Sequence, residues 1–258
     1  MSSSRRLDET LVDRGLCNSA QEAQSLIMQG KVLVNDQKEF KSGTAVKPDA
    51  ALRLLGDTCP YVSRAGLKLE SAWKHFGFDI QNKVALDIGL STGGFTDFLR
   101  QNEAKAVFGV DVGYGIVDYG LRQWDGLILL ERTNARLLQH EDLKAAADLS
   151  SKSGLENEIS LVVMDVSFIS VMAILPYLLP CLQPGAELVI MIKPQFEAEE
   201  HEIEPGGVIA NLDLRQTIVT RTRHVIEALG LEVLDLKDSD VSGQKKRNVE
   251  TFLWARKG

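Results

Sequence analysis

The chain has 258 residues, 44% hydrophobic and 25% charged, a composition typical of soluble globular domains that excludes disordered and fibrous classes. Its longest apolar stretch, residues 171–182, is interrupted by Pro176 and Pro180 and falls short of the roughly 20 residues a membrane-spanning helix needs. The net charge of −7 is unevenly spread: residues 1–58 hold eight Lys/Arg against eight Asp/Glu and the remainder 21 against 28, so the N-terminal piece is electrically distinct and the total does not exclude a polyanionic partner.

In chain order, residues 7–15 place Leu7, Leu11 and Val12 on one helical face and stop at Gly15. Ser19 is a candidate N-cap for a second helix, with Glu22 three residues on and an apolar stripe running to Gly30. Val32 and Val34 then alternate ahead of the turn-prone pair Asn35-Asp36, and another extended piece lies near residues 51–55. About 50 residues is marginal for a module standing alone. Residues 56–60 read as a linker. Beyond them, short β-rich runs at 83–87, 106–111, 127–130, 159–165 and 187–192 alternate with helical segments, the pattern of a parallel sheet covered by helices on both faces. A helix over 212–229 and strands near 231–236 and 249–255 close the chain and predict a terminal hairpin at the sheet edge. The opening residues show no apolar run of signal-peptide type. Cys17, Cys59 and Cys181 are too few and too scattered for a disulfide framework or a metal knuckle. A cytoplasmic chain is therefore expected.

The first strand of the second part ends in Asp87-Ile88-Gly89-Leu90-Ser91-Thr92-Gly93-Gly94-Phe95, with a helix starting near Gly93. Such a turn lets a ligand approach the backbone and the free N–H groups of a helix start. Its spacing is not that of a dinucleotide fingerprint. Asp87 would repel a pyrophosphate and welcome a cation, which favours a sulfonium ligand whose amino group Asp87 holds. Asp111 closes the next strand 24 positions on, near the spacing at which a carboxylate reaches ribose hydroxyls. Later strands end in Asp165 and Lys193, which the open-sheet rule brings to the same crevice as Gly89 and Asp111. Lys68 follows Ser63-Arg64-Ala65-Gly66 and is read as lying in the first turn of a helix, where the dipole disfavours a cation. The four histidines, His75, His140, His201 and His224, show no ligand spacing, and no metal is expected.

The segments YVSRAGLKLE, ALDIGLSTGGFTDFLR, GVDVGYG, ERTNAR, DVSFIS and IKPQFE, in this order, resemble the hemolysin A (TlyA) type of ribosomal-RNA 2′-O-methyltransferase, a branch of the FtsJ-like fold. The resemblance implies two domains: an S4-type α+β RNA-binding domain over 1–58 and, over 59–258, a Rossmann-like, seven-stranded methyltransferase sheet, mostly parallel with an antiparallel edge strand. The S4 signature is matched by Gly30-Lys31-Val32-Leu33-Val34-Asn35-Asp36. The family's Lys-Asp-Lys-Glu tetrad falls on Lys68, Asp165, Lys193 and Glu250. S-adenosylmethionine would be held by Asp87, Gly89, Ser91, Thr92, Gly93, Gly94, Phe95 and Asp111, with Asn134 beside the adenosine. A ribose 2′-hydroxyl is a poor nucleophile, so the enzyme must align it with the methyl group and remove a proton. Two lysines close together, or stripped of water, give up a proton more readily than free lysine. Lys193 is thus expected to deprotonate or steer the hydroxyl, with Lys68 and Asp165 tuning it and Glu250 fixing Lys68 or the ribose. RNA contact would fall to Arg5, Arg6, Arg14, Lys31 and Arg64, with Lys245, Lys246 and Arg247 as further candidates.

The expected partner is ribosomal RNA or a ribosomal subunit, with no membrane and no obligate protein partner. The alternatives are a non-catalytic RNA-binding or assembly factor that keeps the cofactor fold, and a membrane-lytic hemolysin, for which no strongly basic amphipathic helix is visible. A dinucleotide oxidoreductase disagrees with both the glycine spacing and Asp87.

Overall fold

The computed structural model describes residues 4–17, 19–55, 59–204, 206–240 and 248–258. The linker residues Gly56, Asp57 and Thr58 and the basic run Lys245, Lys246 and Arg247 lie outside the described residues. The chain divides into two compact units, Met1–Pro60 and Tyr61–Gly258.

The first unit runs β1 (Arg5–Arg6), α1 (Leu7–Asp13), α2 (Ala20–Met28), β2 (Val32–Val34), β3 (Gln37–Glu39), β4 (Ala45–Val46) and β5 (Leu52–Leu54). Ser19 caps α2 by accepting the Glu22 N–H at 3.1 Å. The apolar faces of α1 and α2 meet in a small core of Leu7, Leu11, Ala23, Ile27, Val32 and Val46. β2 pairs antiparallel with β3 and β5. The β2–β3 turn holds Asn35 at φ 52° and Asp36 at φ 63°, the doubly left-handed geometry of a type I′ hairpin. Asn35 and Asp36, residue types that tolerate the left-handed region, make this turn without glycine.

The second unit continues with α3 (Arg64–Phe76), β6 (Val84–Ile88), α4 (Gly94–Gln101), β7 (Ala106–Val110), α5 (Tyr119–Arg122), β8 (Leu127–Leu130), α6 (His140–Leu149) and β9 (Ile159–Met164). It ends with α7 (Leu175–Leu178), β10 (Glu187–Ile192), α8 (Pro194–Glu197), α9 (Leu212–Ala228), β11 (Leu231–Asp238) and β12 (Thr251–Lys257). The seven strands lie in the order β11-β12-β10-β9-β6-β7-β8. β10, β9, β6, β7 and β8 pair parallel, and β12 runs antiparallel between β10 and β11. The C-terminal hairpin thus closes one edge of the sheet. Leu86, Phe108, Val162, Ile190 and Leu253, one from each of five strands, are fully buried in one continuous core, which is why these strands read as unbroken apolar runs rather than alternating ones.

From β6 the chain builds outward through β7 to β8, then returns to lay β9 on the other side of β6. The switch point of this open sheet therefore lies between β6 and β9, and the crevice at a switch point, beyond the strands' carboxyl ends, is where open α/β sheets bind ligands.

Candidate active site

The register lines up the chemistry. Ile88 pairs with Val110 and Met164, and Ile192 pairs with Thr251. The next residue on each strand, or the preceding one on antiparallel β12, is Gly89, Asp111, Asp165, Lys193 or Glu250. Five adjacent strands thus place these residues along one edge of the sheet. Two ladder bonds continue past the strand ends, from Asp165 N–H to the Ile88 carbonyl at 3.1 Å and from Gly89 N–H to the Val110 carbonyl at 2.9 Å.

The charged groups form two ion pairs. Lys193 Nζ lies 2.6 Å from Asp165 Oδ1 and donates to Ser167 Oγ at 2.8 Å. Lys68 Nζ lies 2.6 Å from Glu250 Oε2 and 3.7 Å from Met191 Sδ. Lys68, Lys193 and Glu250 are all buried. Each ammonium is matched with its own carboxylate. Lys68 is the fifth residue of α3, in its second turn rather than its first, so the cost expected from the helix dipole does not arise and Glu250 compensates its burial. Ser167, which the sequence analysis gave no role, completes the shell of Lys193. An ammonium has three hydrogens to donate; Ser167 takes one, and Asp165 faces the charge as an ion pair whose Oδ1 accepts no well-aligned hydrogen bond among the described residues.

Around the glycine turn, Asp111 ties the loop ends together: Oδ2 accepts the Ser91 N–H and Oδ1 the Gly113 N–H, each at 2.7 Å. Gly89 has φ +87°, and a Cβ there would lie 2.5 Å from the Asp165 carbonyl oxygen, so only glycine lets β6 and β9 approach at the switch point. Gly93 caps α4. Gly94 serves packing: a Cβ on it would meet Ser63 Oγ at 2.2 Å and Ala65 Cβ at 2.9 Å, because the start of α3 rests on it. The ring of Phe95 is buried against Phe252, centroids 6.2 Å apart. The side chain expected at the cofactor therefore belongs to the core, and Gly94 and Phe95 offer the loop only backbone. Ser91 and Thr92 are exposed. Asn134 is exposed after β8, where its side chain accepts the Arg136 N–H at 3.1 Å and caps the turn; its neighbour Thr133 donates its N–H to the Asp111 carbonyl at 2.9 Å.

Asp87 is 1% exposed. Thr96 Oγ1 donates to its Oδ2, and its Oδ1 is buried with no hydrogen-bond partner among the described residues. Burial pushes the carboxyl up to about 7, opposed by the Thr96 bond and reinforced by Asp165 and Asp111. An orphaned carboxylate oxygen beside a glycine turn, with a second acid on the next strand, suits a ligand that carries both an ammonium and a ribose. Among the described residues no group of His, Cys, Asp and Glu is arranged to hold a metal ion.

The cations expected to meet RNA are partly committed elsewhere. Arg5 pairs with Asp13 at 2.5 Å and Arg6 with Asp8 at 2.7 Å. Arg14 spends its guanidinium on the carbonyls of Ala50 at 2.7 Å and Pro48 at 2.6 Å; it is a structural tie between the end of α1 and the segment before β5. Lys31 is half-buried and Arg64 is exposed in the first turn of α3.

A seven-stranded sheet of this order, with a glycine turn and acids at the ends of its first two strands, defines a methyltransferase that takes S-adenosylmethionine. Residues 61–257 match the model of the FtsJ-like methyltransferase family and residues 5–52 that of the S4 domain. The chain is 38% identical over 252 residues, covering 97% of this chain and 89% of the relative, to the 16S/23S rRNA (cytidine-2′-O)-methyltransferase TlyA of Mycobacterium tuberculosis. A solved Streptococcus thermophilus protein described as a hemolysin superposes with TM-score 0.71 at 33% identity, covering 100% of this chain and 90% of that one. An S-adenosylmethionine-dependent methyltransferase from Mesorhizobium loti shares the fold, with TM-score 0.54 at 12% identity over 76% of this chain and 100% of that one. The chain belongs to the FtsJ-like methyltransferase family.

Proposed function

We propose that this enzyme methylates the 2′-hydroxyl of a ribose in ribosomal RNA, with cytidine as the nucleoside, and that Lys193 and Asp165 handle the hydroxyl. The reading is carried by Lys193, a buried ammonium at the sheet edge that is paired with Asp165 at 2.6 Å and donates to Ser167 Oγ, with no further partner among the described residues. The M. tuberculosis relative, which covers nearly the whole chain, is named for this nucleoside and position.

Asp87 Oδ1, the backbone of residues 89–93 and Asp111 would hold S-adenosylmethionine, with the segment at Asn134 alongside. When bound, the cofactor supplies an electrophilic methyl carbon on a sulfonium. Lys193 directs its free N–H at the 2′-oxygen and orients it. Nζ first gives a proton to the Asp165 carboxylate, and the neutral amine so formed takes the proton of the 2′-hydroxyl as the oxygen attacks, leaving Lys193 an ammonium and Asp165 a neutral acid that returns its proton to solvent. Lys68, fixed by Glu250, presents a second buried cation on the same sheet edge and supports the developing negative charge. In the α3 turn Arg64 meets an RNA phosphate, and the S4 unit contributes contacts through Lys31, Arg5 and Arg6. A ribosomal substrate implies a cytoplasmic protein, and among the described residues no helix is long and apolar enough to cross a membrane.

The test is transfer of labelled methyl from S-adenosylmethionine to ribosomes, separated subunits and naked rRNA from cells lacking this protein, with the product nucleoside identified by mass spectrometry. A 2′-O-methylcytidine is expected, and Lys193→Ala should lower its formation at least about a hundredfold while cofactor affinity stays within about threefold. If the cofactor binds but no RNA is labelled, the protein is a binding or assembly factor instead.

A further inference from the structure

Beyond the two ion pairs, a third link joins the loop after β9 to the segment after β10. Glu197, the last residue of α8, is 6% exposed, and both its oxygens are engaged: Ser170 Oγ donates to Oε2 at 2.5 Å and Val171 N–H to Oε1 at 2.9 Å. Burial pushes its carboxyl up, partly offset by these two bonds. The contacts complete a row. Asp165 and Ser167 hold Lys193, Phe168 packs on Phe196 with centroids 5.4 Å apart, and Ser170 and Val171 hang on Glu197. Residues 165–171 are thus fastened stepwise to residues 193–197.

The loop needs such a fastening. Phe168 sits at φ +66° and is 92% exposed. A bulky side chain rarely adopts that backbone region, and the conformation persists only where surrounding contacts impose it. Its own burial contributes little. One carboxylate accepting from a side chain and a backbone amide at the far end of the loop is a device for imposing it, and Asp165 and Ser167 lie at the near end.

We propose that Glu197 is a positioning residue for methyl transfer: by holding Ser170 and Val171 it sets the loop that presents Asp165 and Ser167 to the Lys193 ammonium. The inference rests on the reading of Lys193 as the group that meets the 2′-hydroxyl.

The experiment measures kcat for methyl transfer to the ribosomal substrate, S-adenosylmethionine affinity by calorimetry, and folded fraction, on the full chain. Glu197→Ala is expected to lower kcat about tenfold or more, because small misplacements of a catalytic group are costly. Its cofactor affinity should stay within about twofold, since none of its contacts reaches the glycine turn or Asp111. Glu197→Gln still accepts from Val171 N–H and offers an amide hydrogen to Ser170 Oγ, and should bring kcat back to within about threefold of the parent. Should Glu197→Ala not fold, Ser170→Ala removes one of the two bonds and is expected to lower kcat several-fold at unchanged cofactor affinity. A kcat per folded molecule within about twofold of the parent in the truncated variant, or a Gln variant no better than Ala, would overturn the proposal. Lys193→Ala, run alongside, separates the two readings: activity there sinks the assignment of Lys193, whereas an inactive Lys193→Ala with a fully active Glu197→Ala removes Glu197 alone.

Discussion

Thr96 donates its hydroxyl hydrogen to Asp87 Oδ2 at 2.7 Å, while Oδ1 of the same carboxyl is buried with no hydrogen-bond partner among the described residues. With its carboxyl raised to about 7, from 3.8, chiefly by burial, Asp87 keeps its proton in the ligand-free protein at mildly acid pH. An ammonium at Oδ1 favours the ionised form, so affinity for S-adenosylmethionine should rise with pH up to about 7 and then level off. The linkage to stability runs the other way. The folded state holds this proton to higher pH than the unfolded chain, so Asp87 costs the ligand-free protein nothing in acid and on the order of a few kcal/mol above about pH 7, the loss developing from about pH 4 upward. Asp87→Asn should flatten the pH dependence of binding, weaken binding at least about tenfold at alkaline pH, and raise the ligand-free melting temperature there. Calorimetric titrations on either side of neutrality decide it; an affinity of the parent protein that is flat with pH contradicts the assignment.

Lys68 and Glu250 are charges buried as a pair, with side chains 11% and 8% exposed. Removing one partner strands the other. Lys68→Ala and Glu250→Ala should each destabilise the second unit by about 3 kcal/mol, whereas Lys68→Met/Glu250→Leu should unfold nearer the parent than either single variant. Denaturant melts of the three variants test this, and a double variant no more stable than the single ones would refute it.

Gly89 should tolerate no side chain. Alanine there would combine a left-handed φ with a contact of 2.5 Å to the Asp165 carbonyl, and both β6 and β9 are buried strands that cannot yield cheaply. We expect Gly89→Ala to lose about 1–3 kcal/mol of stability and to disturb both cofactor affinity and kcat, because the clash falls between the glycine turn and Asp165. Normal affinity with normal kcat would show that the strand edge is softer than its packing implies.

Arg14 and Arg64 should part company. Arg14 satisfies two carbonyls, so Arg14→Ala should cost about 1–3 kcal/mol in the first unit. Arg64, exposed on α3, should leave melting unchanged when replaced by Ala but weaken rRNA binding and reduce its salt dependence by about one counterion. Melting curves and salt-titrated binding assays on the two variants separate the roles, and equal effects of both on RNA affinity at equal stability would undo the distinction.

What the sequence alone determined is what short-range physics encodes. The helix caps, the hairpin pair Asn35-Asp36, the apolar runs of the parallel strands, the glycine turn and the polar residues ending β6, β7, β9 and β10 all follow from spacing within a few residues. The rule that open sheets bind at their carboxyl edge then gathers Gly89, Asp111, Asp165 and Lys193 without coordinates. The rest required the tertiary structure, because it depends on which distant groups the strand register brings together. Lys68 meets Glu250 across 182 positions, giving each lysine its own carboxylate. The Phe95 ring turns into the core, Gly94 makes room for α3, and Arg14 is spent on two carbonyls 34 and 36 residues away. Glu197, an ordinary acid in the sequence, becomes a clamp only once β9 and β10 lie side by side and their trailing loops share one buried carboxylate.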